Sequence, residues 1–210
     1  MKTETEAKFT CPPEVLDIIL SVSDLNGAYA LSEPYPYPIE DIYLDTKDLK
    51  LISAGASLRV RRSRGKYLLT LKTRLEKTGT SLCRREIEEE VSPEEAKRLL
   101  DTGEMPYPFN KELYELAGPD PIEALLEVSN DRVIRNVFKD SNLLAELSLD
   151  RVTFRRGKSE ERLCGIELEL KDYSGIEAFE RLIAIFVKRF PALEASSKSK
   201  YELGMKLMPL

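Results

Sequence analysis

Histidine is absent from this sequence of 210 residues. The chain therefore lacks the commonest general base of enzymes, the usual activator of nucleophiles and a favoured ligand of transition metals. Any chemistry must use carboxylates, lysine, arginine, tyrosine or a hard metal ion that prefers oxygen ligands. This excludes histidine-activated nucleophiles and histidine-bound metals.

Cysteine is also scarce. The three cysteines, Cys11, Cys83 and Cys164, are far apart in sequence, odd in number and in no paired ligand spacing. The sequence therefore indicates neither a disulfide framework nor a zinc site. We expect reduced thiols that mostly contribute to packing.

Long hydrophobic runs are missing as well. No apolar stretch approaches the roughly 20 residues that a membrane helix needs, and the first residues lack the apolar segment of a secretory signal. With 42% hydrophobic and 33% charged residues, the composition is that of a globular protein. We expect a cytoplasmic protein with no membrane partner, folded as a single domain over residues 1–210.

Charge is unevenly distributed along the chain. The net charge of −5 argues against a nucleic-acid binder held by bulk positive charge. Residues 58–85 nevertheless contain ten basic residues against one acid, Glu76. The basic residues of this segment are Arg59, Arg61, Arg62, Arg64, Lys66, Lys72, Arg74, Lys77, Arg84 and Arg85. We therefore expect a local site for an anion.

Alternation with a period of two predicts a mainly β protein. The predicted strands cover residues 3–10, 41–46, 57–63, 66–74, 83–91, 125–138, 143–154 and 163–171. Helices are predicted after Pro12 and Pro13, after the capping-box sequence that begins at Ser92, and over an apolar stripe that follows a second capping box at Ser174. The proline-flanked Tyr35 and Tyr37 are predicted to lie in an extended loop, where they either pack on the surface or contact a ligand.

Charged residues recur at alternate positions on several of these strands. Arg59 and Arg61 share one strand face, and Glu167 and Glu169 share another. On a single strand such a face is normally solvated, but the apolar faces of several strands need a core that the predicted helices supply from outside. The charged faces then converge on an interior. Mixed charges in an interior require pairing or a ligand. A hydrated polyanion bound together with divalent cations would pair with both the basic and the acidic side chains.

Carboxylates two residues apart on a strand project side by side. Glu4 with Glu6, and Glu167 with Glu169, are therefore candidates to hold Mg²⁺ or Mn²⁺. Arginine and lysine would bind phosphate oxygens, arginine in bidentate fashion.

Several motifs resemble those of one family. Glu4-Thr5-Glu6-Ala7-Lys8 resembles the N-terminal Glu-x-Glu-x-Lys motif of the CYTH, or triphosphate tunnel metalloenzyme, family. Further resemblances follow in order along nearly the whole chain: Tyr43-Leu44-Asp45-Thr46, Leu58-Arg59-Val60-Arg61, Leu69-Thr70-Leu71-Lys72, Arg84-Arg85-Glu86-Ile87-Glu88, Leu147-Ser148-Leu149-Asp150, Ile166-Glu167-Leu168-Glu169 and Ser199-Lys200-Tyr201.

The resemblance implies a fold and a site. The fold is an eight-stranded antiparallel β-barrel tunnel, mainly β (α+β), with helices packed on the outside. The residues implied in substrate binding are Lys8, Arg59, Arg61, Lys72, Arg84, Arg132 and Lys200. The implied metal ligands are Glu4, Glu6, Glu167 and Glu169, with Glu88 and Asp150 for a second metal or its water. The sequence leaves open the choice between Arg84 and Arg85, between Arg132 and Arg135, and between Lys198 and Lys200.

The function implied is hydrolysis of a small triphosphate with Mg²⁺ or Mn²⁺, through attack by a metal-bound water. The catalytic residues expected are Lys8, Arg59, Arg61, Lys72, Glu88 and Lys200. Inorganic triphosphate is the first expected substrate, followed by thiamine triphosphate and by cyclisation of ATP. A non-catalytic polyphosphate binder is the alternative from another class. An RNA-binding β domain is disfavoured because acids share the basic cluster, and the oligomeric state stays open.

Overall fold

A computed structural model describes residues 5–74, 84–172 and 175–208 of the chain. The strands are β1 (Glu6–Cys11), β2 (Asp24–Leu25), β3 (Tyr29–Leu31), β4 (Tyr35–Pro36), β5 (Ile39–Asp45), β6 (Ser57–Ser63), β7 (Lys66–Arg74), β8 (Arg84–Val91), β9 (Glu123–Lys139), β10 (Asn142–Arg156), β11 (Ser159–Leu170) and β12 (Glu194–Ala195). The helices are α1 (Pro13–Ser21), α2 (Lys50–Ser53), α3 (Pro93–Thr102), α4 (Phe109–Ala117), α5 (Ile176–Arg189) and α6 (Lys200–Leu207).

The described strands form one antiparallel sheet of 12 strands. Its main path runs β12-β1-β11-β10-β9-β5-β6-β7-β8, and β3 and β4 pair with the long strand β9. The mainly β class with helices is confirmed. Within the described ranges no pairing joins the end strands β8 and β12, so the sheet is not closed and the predicted eight-stranded barrel is not confirmed.

Helices cover one side of the sheet, which we call the outer face. α1 and α5 pack over β1, β10 and β11, where Ile19 and Phe186 are fully buried. α3 and α4 pack over β5, β6 and β7, where Leu58 and Phe109 are fully buried. Because side chains alternate along each strand, the polar neighbours of these apolar residues lie on the opposite side, the inner face. The predicted apolar outer face is present, whereas the inner face combines charged residues with a second apolar cluster.

Helix α6 lies on the inner face, contrary to the prediction that the helices pack outside. Its Tyr201 and Met205 are buried against Val128, Val152 and Phe154 of the sheet. The approach is close at Gly204, where an added Cβ atom would lie 2.5 Å from Leu126 Cδ2 and 2.7 Å from Phe154 Cδ1. Glycine therefore allows the helix to reach the sheet without displacing these two side chains.

Local signals predicted some helix ends and missed others. Ser92 and Glu95 form the expected capping box of α3, and Gly103 ends this helix with a φ of 70°, a value that favours glycine. The proposed cap at Ser174 lies outside the described residues. The short helix α4 was not predicted, and residues 198–200, considered as a strand, lead instead into α6, which Ser199 caps.

The cysteines that are distant in sequence are neighbours in the sheet. Cys11 of β1 lies directly opposite Cys164 of β11, and both are free thiols. Burial raises the pKa of Cys11 to about 11, which makes its thiolate scarce at neutral pH. Cys83 lies outside the described residues. None of the described helices is long and apolar enough to span a membrane.

Arg135 belongs to the outer face and has a structural role. Its Nη1 donates to the carbonyl oxygen of Ile19 at 3.1 Å and to that of Val22 at 2.5 Å, and its Nε donates to Ser32 O at 2.7 Å. The carbonyls of residues 19 and 22 lie at the C-terminal end of α1, where they lack partners within the helix. Only 3% of Arg135 is exposed, so burial lowers its pKa.

Replacing Arg135 by methionine should therefore destabilise the protein by about 3 kcal/mol, because buried carbonyl groups lose their donors. Urea denaturation checks this. Arg151→Met is the matched control, since Arg151 pairs with Asp17 at 2.6 Å on a partly exposed part of the same face and such pairs contribute ~1 kcal/mol or less. Equal losses in the two variants would contradict a capping role for Arg135.

Candidate functional site

Cations and carboxylates alternate across the inner face. In the register of the sheet, Lys8 of β1 lies opposite Glu167 of β11, and Arg132 of β9 lies opposite Asp150 of β10. Lys200, the first residue of α6, reaches the same region, and Lys8, Asp150, Glu167 and Lys200 line one cavity. The fold thus assembles residues that are up to 192 positions apart in sequence, between Lys8 and Lys200.

Asp150 forms the centre of this group. Its carboxylate is fully buried and accepts from Arg132 Nε and Nη2, each at 2.7 Å. Lys200 Nζ lies 2.9 Å from the carboxylate of Asp150 and 2.6 Å from that of Glu167. Arg132 Nη2 also donates to Glu167 at 2.7 Å. Two cations are therefore shared between two carboxylates.

The charges in this group stabilise one another. Burial by itself would raise the pKa of Glu167, but Lys200 and Arg132 outweigh this effect and hold the pKa well below its usual range. The pKa of Asp150 is lowered for the same reason. Burial opposes the charge of Lys200, yet Glu167 and Asp150 raise its pKa. Both carboxylates and both cations are thus charged at neutral pH.

A second group lies on β5 and β6. Asp41, buried at 3% exposure, accepts from Arg61 Nε at 2.7 Å and from Arg61 Nη2 at 2.8 Å. Arg59 approaches the same carboxylate at 3.8 Å. In the described part of the chain the buried Nε of Arg59 has no hydrogen-bond partner. An unsatisfied buried donor is costly, so Arg59 is suited to an anionic ligand.

A buried network connects α6 to β5. The ring of Tyr201 stacks on the ring of Tyr43 with centroids 4.9 Å apart, and its hydroxyl donates to Asp45 Oδ2 at 3.0 Å. Asp45 also accepts from the backbone N–H groups of Leu51 and Ile52. The Asp45 of the Tyr-x-Asp-Thr motif is therefore an anchor for both α2 and α6, and Tyr201 holds the helix end that carries Lys200.

The expected metal ligands share part of the inner face. Glu6 lies directly opposite Glu169 in the β1–β11 register, and Glu146 of β10 is the next neighbour of Glu169. Lysines contact these acids: Lys8 lies 2.7 Å from Glu6, and Lys171 lies 2.8 Å from Glu169. Sequence reasoning missed Glu146, although its spacing to Asp150 already places both on one strand face.

These residues fit a magnesium or manganese ion in their donor chemistry, because carboxylate oxygens are the ligands that such ions prefer. Among the described residues no three acids already converge on a metal position. Glu4, one of the expected ligands, lies outside the described residues. The structure places Asp150 and Glu167 differently from Glu6 and Glu169, since both oxygens of each are bound by Arg132 and Lys200.

The remaining predicted residues lie towards the β8 edge. Lys72 Nζ is 3.2 Å from Glu86, and Glu88 accepts from the hydroxyl of Thr70 at 2.9 Å. The side chains of Arg84 and Arg85 lie outside the described part of the chain. Of the other open choices, Arg132 is on the inner face and Arg135 on the outer face, and Lys200 contacts the acids whereas Lys198 is exposed.

Comparison with known proteins identifies the family. The sequence matches the CYTH domain family over residues 2–202. The chain belongs to the CYTH domain family. No curated protein sequence matches it.

Solved structures with this fold span the whole chain. HpAC1 of Hippeastrum, a candidate adenylyl cyclase with a dominant triphosphatase activity, is 20% identical with a TM-score of 0.69, covering 99% of this chain and 98% of its own. A candidate adenylate cyclase of Bacillus halodurans is 18% identical with a TM-score of 0.70, covering 100% and 98%. The PH1819 protein of Pyrococcus horikoshii is 19% identical with a TM-score of 0.54, covering 97% and 99%. At these identities the likeness shows the fold.

CYTH proteins are generally enzymes, and the family includes triphosphatases and class IV adenylate cyclases. They act on small triphosphates and depend on metal ions, generally Mg²⁺ or Mn²⁺. The cation-rich inner face described above is the part of this CYTH domain that suits a polyanion.

Tyr201→Phe should weaken tripolyphosphate binding about tenfold, because loss of the bond to Asp45 releases the helix end that positions Lys200; tenfold corresponds to ~1.4 kcal/mol. Calorimetric titration in the presence of Mg²⁺ measures this. Tyr29→Phe is the matched control, since the hydroxyl of Tyr29 donates to Ala178 O at 2.9 Å on the outer face. If both variants bound as the unmodified protein does, Tyr201 would have no role in positioning Lys200.

Proposed function

We propose that this CYTH protein hydrolyses a linear triphosphate at its inner face, with Mg²⁺ or Mn²⁺, and that inorganic triphosphate is its simplest substrate. The observation that carries the proposal is the set of inner-face cations held in place by buried carboxylates. Asp150 orients Arg132 and Lys200, and Asp41 orients Arg61.

Such an arrangement suits phosphoryl transfer. Charge builds up on phosphate oxygens during this reaction, and cations that are already oriented stabilise it without reorganisation. Arg132 and Arg61 bind their carboxylates through Nε and Nη2, so each would donate to phosphate oxygens through Nη1. Arg59 contributes a buried donor that is unsatisfied among the described residues. Lys8, Lys72, Arg84 and Lys200 complete the proposed substrate-binding set.

The metal ligands proposed are Glu4, Glu6, Glu167 and Glu169, with Glu88 and Asp150 near a second ion or its water. When bound, a divalent ion would supply an activated water and neutralise phosphate charge. These glutamates would bind and orient the metal ion. Their negative charge would also keep the site from becoming so positive that it holds the product too tightly. This assignment agrees with the absence of histidine, because no side-chain base of that type is present.

We further propose that the sheet closes into a tunnel around the substrate. An eight-stranded barrel would surround the triphosphate and exclude water from the charged groups, which strengthens their interactions. The activity described for HpAC1 supports triphosphate hydrolysis, rather than cyclisation of ATP, as the proposed reaction of this chain.

The test is release of phosphate from tripolyphosphate, thiamine triphosphate and ATP, each with Mg²⁺ or Mn²⁺, with cyclic AMP measured in the ATP reaction. We expect phosphate release from at least tripolyphosphate, and its complete loss with excess chelator, because the glutamates would otherwise repel the substrate. Undiminished hydrolysis in metal-free buffer would contradict the metal role. Binding of all three compounds without turnover would instead favour a polyphosphate-binding module.

Arg61→Ala should lower kcat/KM for tripolyphosphate by about 10- to 100-fold, since a charge-assisted hydrogen bond contributes ~1.5–3 kcal/mol. Arg62→Ala is the matched control, because its neighbouring side chain points to the other face and pairs with exposed Glu40 at 3.1 Å. The control should retain activity within about twofold. Thermal melts verify that both variants fold, and equal activity in the two would rule out the proposed role of Arg61.

A further inference from the structure

Two of the three cysteines meet on the outer face of the sheet. Cys11, the last residue of β1, lies directly opposite Cys164 of β11, and both are free thiols. Residues directly opposite in an antiparallel pair point to the same side of the sheet. Both side chains are half-buried and pack against the cluster that contains Phe9 and Ile166. The fold therefore places side by side two thiols that are distant in sequence.

The hydrogen bonds of these strands indicate how closely the two cysteines approach. Leu170 N–H donates to Thr5 O at 2.9 Å, so these two residues form a hydrogen-bonded pair. Such pairs recur at every second position of an antiparallel ladder, and Cys11 with Cys164 is one of them. The Cα atoms of a hydrogen-bonded pair lie about 5.5 Å apart, within the range of roughly 4.4–6.8 Å that disulfides span.

The position of the pair at the end of a strand allows the two sulfurs to meet. β1 ends at Cys11, and Pro12 and Pro13 lead into α1, so the β1–β11 ladder holds this cysteine from one side. The Cβ atoms of a disulfide lie about 3.8 Å apart, closer than in a hydrogen-bonded strand pair. Closing the bond therefore requires Cys11 to shift towards Cys164. A disulfide formed in this way is more easily reduced than one with relaxed geometry, which makes it reversible.

The surroundings of the thiols control how fast they react. Burial raises the pKa of Cys11 to about 11, and the neighbouring Cys164 adds to this effect. Burial also raises the pKa of Cys164, against the influence of Arg151, which lies directly opposite on β10. Asp17 and Glu14 of α1 counteract Arg151. Because the thiolate is the reactive form, both cysteines react slowly at neutral pH and faster as the pH rises.

We propose that Cys11 and Cys164 are a modification site, at which glutathione disulfide forms a reversible disulfide bond between β1 and β11. One protein thiolate attacks a sulfur of glutathione disulfide and releases one glutathione thiolate. The second protein thiolate attacks the protein sulfur of this mixed disulfide and releases the other glutathione. Two protein thiols lose two electrons and two protons, and one glutathione disulfide becomes two molecules of glutathione.

The bond would secure a strand that is weakly held at one edge. β1 pairs with β11 on one side and, in the described part of the chain, with the two residues of β12 on the other. The same strand places Lys8 opposite Glu167 and Glu6 opposite Glu169. The disulfide keeps this register, so we expect a more stable β1 and an unchanged inner face.

The experiment incubates the whole chain with glutathione disulfide and then counts free thiols in the denatured protein. We expect three thiols before the reaction and one after it, with Cys11 joined to Cys164 in a peptide map by mass spectrometry. Dithiothreitol should restore both thiols. The reaction should accelerate between about pH 7 and pH 9, because both thiol pKa values are raised. Cys83→Ser is the matched control and should form the same bond.

The effect on β1 has its own measurements. The oxidised protein should melt about 5–10 °C above the reduced protein, because the bond closes a loop of about 150 residues. Amide exchange of residues 6–11 should slow, and Cys11→Ser and Cys164→Ser should abolish both effects.

The results separate the site from its effect. Glutathione adducts that never resolve, or a bond that involves Cys83, would overturn the modification site. A bond between Cys11 and Cys164 that leaves the melting temperature and the amide exchange unchanged would overturn the stabilisation of β1. None of these measurements depends on hydrolysis of a triphosphate, so the inference stands or fails separately from the proposed function.

Discussion

The buried negative charge of Asp150 is the constraint on which the site depends. A carboxylate with no exposed surface is stable only when cations and hydrogen bonds replace its lost hydration. Arg132 supplies this from the adjacent strand, and Lys200 supplies it from a helix that is distant in sequence. This requirement is consistent with the position of α6 on the inner face, where its first residue, Lys200, contacts Asp150. The same contacts leave two cations fixed where a polyanion can meet them.

The position of α6 is then secured at a second point. Tyr201 stacks on Tyr43 and donates to Asp45, which is also fully buried. Since Asp45 accepts from the start of α2 as well, one carboxylate links strand β5, a short helix and the last helix. The site and the core on the inner face therefore share helix α6, since Lys200 belongs to the site and Tyr201 to the core.

Much of the fold could be predicted from sequence because its signals are local. Alternation places Arg59 and Arg61 on one face of β6 and Leu58 on the other, and this requires no knowledge of the partner strands. The choice between Arg132 and Arg135 could not be made, because both are arginines and the register of β9 with β10 decides which faces Asp150. Helix α6 and the pairing of Asp41 with Arg61 were also missed, since both depend on contacts between distant segments. Sheet closure is a global property that no local pattern contains.

The salt bridges of the inner face have a further consequence for selectivity. Lys8 contacts Glu6, Lys171 contacts Glu169, and Lys200 contacts Glu167, so these three expected metal ligands are each paired with a lysine. A divalent cation alone would have to displace these lysines and leave them unpaired, and a polyanion alone would do the same to the glutamates. A partly buried charge that loses its partner without regaining full hydration is energetically unfavourable. On the proposed function, a triphosphate and a divalent ion that bound together would let the lysines pair with phosphate and the glutamates with the metal, so that no charge would be left without a partner. The proposed function therefore implies that metal and triphosphate bind jointly in preference to either alone, which would be a coupling free energy between two ligands that share one face of the sheet.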